Sequence, residues 1–166
     1  MDAKTHKMLL RNAGAFLARR AYSRNELRKR LAGLAGDPEI ESALQHLEQL
    51  NLLNDADYAY NFALHRIRQQ GWSPKKVQNA LLRHRIGMPV IECAFERMRN
   101  EVGDQAIILL EYIQKHSAKK GLPSDLKGIR KLIVHLRQRG FDDENILSAL
   151  RGIIPAAALQ PFETGD

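Results

Sequence analysis

The sequence is short of cysteine, proline, aromatics and long apolar runs, and each shortage removes a class of protein. One cysteine, Cys93, excludes an intramolecular disulfide and a cysteine-based metal site, and it fits a reducing compartment. Flanked by Ile91, Glu92, Ala94 and Phe95, that thiol is read as packed at a buried helical position. Met1 to Lys7 is polar, without a signal-type apolar stretch, and no segment approaches the roughly 20 apolar residues that cross a bilayer. The expectation is a soluble, cytoplasmic protein with no membrane partner. Aromatics make up 6% of the chain, so stacking platforms for bases are few, and Tyr22 and Trp72 are assigned to closing helix ends.

Constellations that carry chemistry are missing too. The six histidines, His6, His46, His65, His84, His116 and His135, never fall three or four apart, so no helical metal site is expected. There is no glycine-rich phosphate loop; Gly33 and Gly36 belong to a turn between helices. Ser23 and Ser73 read as helix caps before nucleophiles. Asn54, Asp55 and Asp57 start like a calcium loop but lack the rest of that pattern, and they are assigned to capping a helix that runs through Tyr58 and Phe62. The sequence predicts no catalytic site, no metal and no cofactor.

Charge and period are what the sequence does contain. Lys and Arg number 26 against 19 Asp and Glu, a net charge of +7 with a pI near 9.8. Such an excess points to a polyanionic partner, nucleic acid first, with an acidic protein face or an anionic membrane behind it. Four of the six prolines, Pro38, Pro74, Pro89 and Pro123, stand at or just before inferred helix starts, and apolar residues recur three and four apart. The fold class is all-α.

The helices repeat. In Tyr22-Ser23-Arg24-Asn25-Glu26-Leu27, Ser23 and Glu26 form a capping box, and Tyr22 and Leu27 stand where a hydrophobic staple closes. Fifty residues later, Trp72-Ser73-Pro74-Lys75-Lys76-Val77 repeats the plan with proline at the first helical position. The stripe continues four residues on, at Leu31 and Leu81. Following helices start at Asp37-Pro38-Glu39-Ile40, Met88-Pro89-Val90-Ile91 and Asp143-Glu144-Asn145-Ile146, and preceding ones cover roughly 3–20, 55–70 and 103–119. A period of about 50 residues marks a repeat array. The chain reads as an elongated tandem array of three three-helix modules, 1–52, 53–101 and 102–154, ending in a flexible tail over 155–166 that holds Pro155, Pro161 and Gly165.

Basic residues cluster by module. Arg19 to Arg30 holds six cations against Glu26 alone, His65 to Arg85 holds no carboxylate, and Lys115 to Arg139 holds Asp125 alone. Helix dipoles account for acids at helix starts and bases at helix ends. They do not account for Lys75 and Lys76 in the first turn of a helix.

The stretch Leu17 to Leu31, the joint Leu52-Leu53-Asn54-Asp55 with Tyr58-Ala59, and Gly71-Trp72-Ser73-Pro74 with Val77 and Leu81 together resemble the RecX family over about residues 15–100. Asn51 and Arg85 depart from that pattern, standing where the family commonly has glycine. The resemblance implies tandem three-helix repeats that bind the RecA–DNA filament and modulate recombinase activity, commonly by inhibition, in DNA repair and the SOS response. It does not supply contact residues singly. Position in this sequence selects Arg20, Arg24, Arg28, Lys29, Arg68, Lys75, Lys76, Arg83, Arg130 and Lys131 as the filament- or DNA-binding set of a monomer. Two rivals remain open: a helical DNA-binding protein acting without the recombinase, for which only Gln78 and Asn79 suggest base readout, and a repeat adaptor for an acidic protein.

Overall fold

A computed structural model of the chain describes residues 2–103 and 105–163. Among them lie ten helices and no strand: α1 (Ala3–Leu17), α2 (Arg24–Leu31), α3 (Asp37–Gln49), α4 (Asp55–Gln70), α5 (Pro74–Arg83), α6 (Met88–Val102), α7 (Gln105–Lys120), α8 (Leu126–Gln138), α9 (Asp143–Arg151) and α10 (Ala156–Glu163). The starts have local causes. The Ser23 hydroxyl accepts from the Glu26 backbone N–H while the Glu26 carboxylate accepts from the Ser23 N–H, so the capping box is complete. Asn54 caps α4 by accepting from the backbones of Ala56 and Asp57, and Asp125 and Asp142 cap α8 and α9.

Three helices end alike. After α3, the Leu52 N–H reaches Leu47 and the Asn51 N–H reaches Glu48; after α5, Ile86 reaches Leu81 and Arg85 reaches Leu82; after α8, Phe141 reaches Leu136 and Gly140 reaches Arg137. Each is a Schellman turn, which needs a left-handed residue at its centre. Gly140 supplies this freely at φ 92°, but Asn51 at φ 55° and Arg85 at φ 60° do so against steric preference. These are the two positions where the sequence departs from its family resemblance by lacking glycine.

The helices fall into two compact units, Met1–Phe62 with Ala80–Ala94, and Ala63–Asn79 with Phe95–Asp166, the division falling inside α4, α5 and α6. In the first, Leu9, Ala13, Tyr22, Leu27, Leu31, Ile40, Leu44 and Leu47 form a core between α1, α2 and α3. In the second, Leu109, Ile113, Ile129, Ile133, Leu136, Phe141, Ile146, Leu150 and Leu159 form another from α7 to α10. The buried residues of α2 and α8, Leu27 and Leu31 in one and Ile129, Leu132, Ile133 and Leu136 in the other, recur at three and four.

Two expectations are corrected. Residues 156–163 are helical rather than a loose tail, because three consecutive alanines favour helix and Leu159 is fully buried in the second core; the end of that stretch, 164–166, lies outside the described residues. Cys93 is exposed. Ile91, Ala94 and Met98 set the inward face of α6, and a position two residues past Ile91 lies about 200° around the helix from it.

Replacing Arg85 or Asn51 by glycine removes the left-handed penalty but adds unfolded-state freedom. Urea unfolding should show each variant more stable by about 0.5–1 kcal/mol; a loss of stability would contradict the strain assigned to these turns.

Candidate polyanion interface

The structure divides the ten predicted cations into two groups. In the first unit, α2 turns its arginines toward acids of α3. Arg24 Nη2 lies 2.7 Å from Glu41 Oε2 and its Nε 2.9 Å from Glu48 Oε1. Arg28 lies 3.1 Å from Glu41 and 3.3 Å from Asp37. The Arg24 backbone N–H also donates to Asp55 at the start of α4, at 2.7 Å. The bond to Glu41 leads the interactions that raise the Arg24 pKa above its ordinary value. Arg20 lies over the Tyr22 ring at 3.7 Å and pairs with Glu26 at 3.3 Å. Arg20, Arg24 and Arg28 therefore have internal work: Arg24 and Arg28 cross-link α2 to acids along α3, from Asp37 to Glu48, and Arg20 braces the capping box.

Around that box sits a polar cluster. Tyr58 Oη is 3.2 Å from His84 Nδ1, which is 3.6 Å from Glu26 Oε1. Burial pushes the Glu26 carboxyl up, but hydrogen bonds from Arg20 and from the Ser23 N–H outweigh it, with help from the charges of Arg20 and His84. The carboxyl is held below the usual carboxylate range. Burial and the Glu26 charge push the Tyr58 phenol up to about 12.

The second unit explains Lys76. Its ammonium donates to the Gln138 carbonyl at 2.6 Å, in the last turn of α8, and lies 4.8 Å from the Trp72 ring centroid. A cation unfavourable at the start of α5 is thereby satisfied at the negative end of α8. Ser73, fully buried, caps Lys76 N–H and donates to the Gly140 carbonyl at 2.7 Å. A Cβ on Gly140 would stand 2.7 Å from the Ser73 hydroxyl and 2.8 Å from Lys76 Cβ, so this left-handed turn also demands a bare Cα. Trp72 is only half-buried, with Arg66 4.7 Å from its ring centroid, so it closes the helix end less completely than Tyr22 does.

The other six, Lys29, Arg68, Lys75, Arg83, Arg130 and Lys131, are exposed and have no internal partner among the described residues. Lys29 and Arg83 belong to the first unit and the remaining four to the second. Arg130 borders a groove of about 440 Å3 with Ile133, Val134, Pro161 and Phe162; Lys131 borders one of about 400 Å3 with His116 and His135. Two histidine contacts escape sequence reasoning because only folding joins them. His6 Nε2 meets His46 Nδ1 at 3.4 Å, and His116 stacks on His135 at 4.9 Å between centroids, with Tyr112 Oη 2.8 Å from His135 Nε2. No group of three or more metal-ligating side chains occurs among the described residues, and no described helix is long and apolar enough to cross a membrane.

Fold and surface define an all-helical protein that carries exposed cations in both compact units. The family description "RecX, second three-helix domain" matches residues 54–94. The regulatory protein RecX of Prosthecochloris aestuarii is 34% identical over 150 residues, covering 90% of this chain and 95% of the relative. That of Pseudomonas fluorescens strain SBW25 is 31% identical over 143 residues, covering 86% and 89%. The crystal structure of RecX from Lactobacillus salivarius superposes with a TM-score of 0.73 at 19% identity, over 92% of this chain and 98% of that one. The chain belongs to the RecX family of regulatory proteins.

Because the Glu26 pKa is depressed on folding, its contribution is present above the unfolded carboxylate pKa and is lost as pH falls through the folded value. Glu26→Gln keeps a capping side chain and removes the charge. Urea unfolding should find the variant less stable than wild type at pH 7, and the gap should close as the pH falls below about 4. A gap independent of pH would show that the charge does not matter.

Proposed function

We propose that the chain binds the RecA–DNA filament and inhibits recombinase activity in DNA repair. Family membership supports a regulatory role, and one observation supports the polyanionic partner above the rest. Six cations chosen from sequence stand exposed without a described internal partner, while four are tied inward. With modules taken as 1–52, 53–101 and 102–154, Lys29 falls in the first, Arg68, Lys75 and Arg83 in the second, and Arg130 and Lys131 in the third. Every module thus offers at least one free cation, which suits a partner that is itself a charged repeating polymer. Each neutralised phosphate releases counterions, so contacts that are weak singly accumulate. The filament supplies such charge on its DNA and on acidic protein surface. Arg20, Arg24, Arg28 and Lys76 act in this reading by holding the helices that carry the others.

The test is recombinase ATP hydrolysis on single-stranded DNA with sub-stoichiometric amounts of this protein. Wild type should lower the rate. Lys75→Glu with Arg83→Glu, at unchanged helical circular dichroism, should raise the concentration for half-inhibition about tenfold or more. Arg24→Ala should instead lower thermal stability by about 1 kcal/mol and leave inhibition by the folded protein near wild type. No effect of wild type at any ratio would refute the function.

A further inference from the structure

We propose that the cleft around Trp72 takes one unstacked nucleotide of single-stranded DNA. The proposal rests on the polyanion reading above and assigns one part of the surface to nucleic acid rather than protein. The cleft is shallow and open, with a volume of about 510 Å3. Gln69, Gln70, Trp72, Lys76, Gln138 and Arg139 line it, with no carboxylate among them. All belong to the second unit.

Three features of this lining match the three parts of a nucleotide. The half-buried indole offers a π-face, the only tryptophan in the chain. Of the three glutamines, Gln70 already accepts from Arg66 at 2.5 Å, and the amides of Gln69 and Gln138 offer donors and acceptors to a base edge or sugar. Arg139, 5.3 Å from the Tyr112 ring centroid, and Lys76 put positive charge on the lining, and a phosphate bound there would draw the Lys76 ammonium from the Gln138 carbonyl that otherwise holds it. An acidic peptide could use the cations but has no use for the ring. The ring now holds Arg66 and Lys76 at 4.7 and 4.8 Å. A base that stacks there displaces a cation–π contact, the weaker interaction at an exposed ring, and the released cation meets the incoming phosphate. The backbone is fixed for this purpose: Ser73 ties the start of α5 to the turn after α8 through its bond to Gly140 and through its own N–H, 2.9 Å from the Arg139 carbonyl.

Since Trp72 is the sole tryptophan, its fluorescence reports on the cleft alone. Titration of the intact protein with a 15-nucleotide oligo-dT should quench it, with a midpoint that rises with salt. By anisotropy of the labelled oligonucleotide, Trp72→Ala should bind about tenfold more weakly, and Trp72→Phe should recover most of that loss. Quenching by a polyglutamate peptide but not by oligo-dT would overturn the proposal in favour of a protein ligand. Full-affinity binding by Trp72→Ala, with wild-type circular dichroism, would overturn it too. Should oligo-dT leave the fluorescence unchanged while wild type still inhibits the recombinase, the nucleotide cleft falls and the filament reading stands. Should quenching occur with no recombinase effect at any ratio, the reverse holds.

Discussion

Two serine hydroxyls, on Ser23 and Ser73, hold much of this molecule in register. Both are fully buried, and a buried hydroxyl without a partner would cost about 1–3 kcal/mol. Each meets that demand by fixing the start of a helix. Ser23 closes the capping box with Glu26, which then becomes the acceptor for Arg20 and a neighbour of His84. Ser73 caps α5 and simultaneously donates to the turn after α8, so one oxygen joins two helix ends. These bonds fix where α2 and α5 begin.

The charge that follows is partitioned rather than spread. Cations near an acid in the fold are used up inside it. Arg24 and Arg28 meet Glu41, and Arg137 meets Asp143 at 2.6 Å, a bond that leads the rise of the Arg137 pKa. Pairs this exposed contribute little singly, about 0–1 kcal/mol, but they keep those arginines from competing for a ligand. Lysines and arginines on turns of the same helices that face no acid remain outward.

The fold was legible because its signals are local. Capping serines, prolines at helix starts and apolar spacing depend on neighbours within one or two turns, and they located α1 to α7 and α9 closely, whereas α8, capped by Asp125 without an aromatic staple, had no such clear start. The tenth helix was hidden by Pro155 and Pro161, since its stabilising contact, Leu159 in a distant core, leaves no local trace. Cys93 was misjudged because apolar neighbours in sequence need not share its helix face. The basic character of the surface was legible as composition, but which cations the fold ties inward was not. Nothing around Arg24 announces Glu41 and Glu48, and nothing around Lys76 announces the carbonyl of Gln138. Asn51 and Arg85 stood out in the sequence only as departures from a glycine pattern, and the structure shows both in left-handed turns.

The internal pairing of α2 changes what the net charge of the chain means. A polymer of phosphates does not encounter the formal excess but a valence, the number of cations free to replace its counterions. Arginines already neutralised by Glu41, Glu48 and Asp37 displace none. The slope of binding against the logarithm of salt concentration, about 0.7–0.9 per phosphate neutralised, would therefore count the outward cations and pass over the rest. A purely thermodynamic measurement thus becomes a census of which positive charges this fold has kept for itself and which it has left for others.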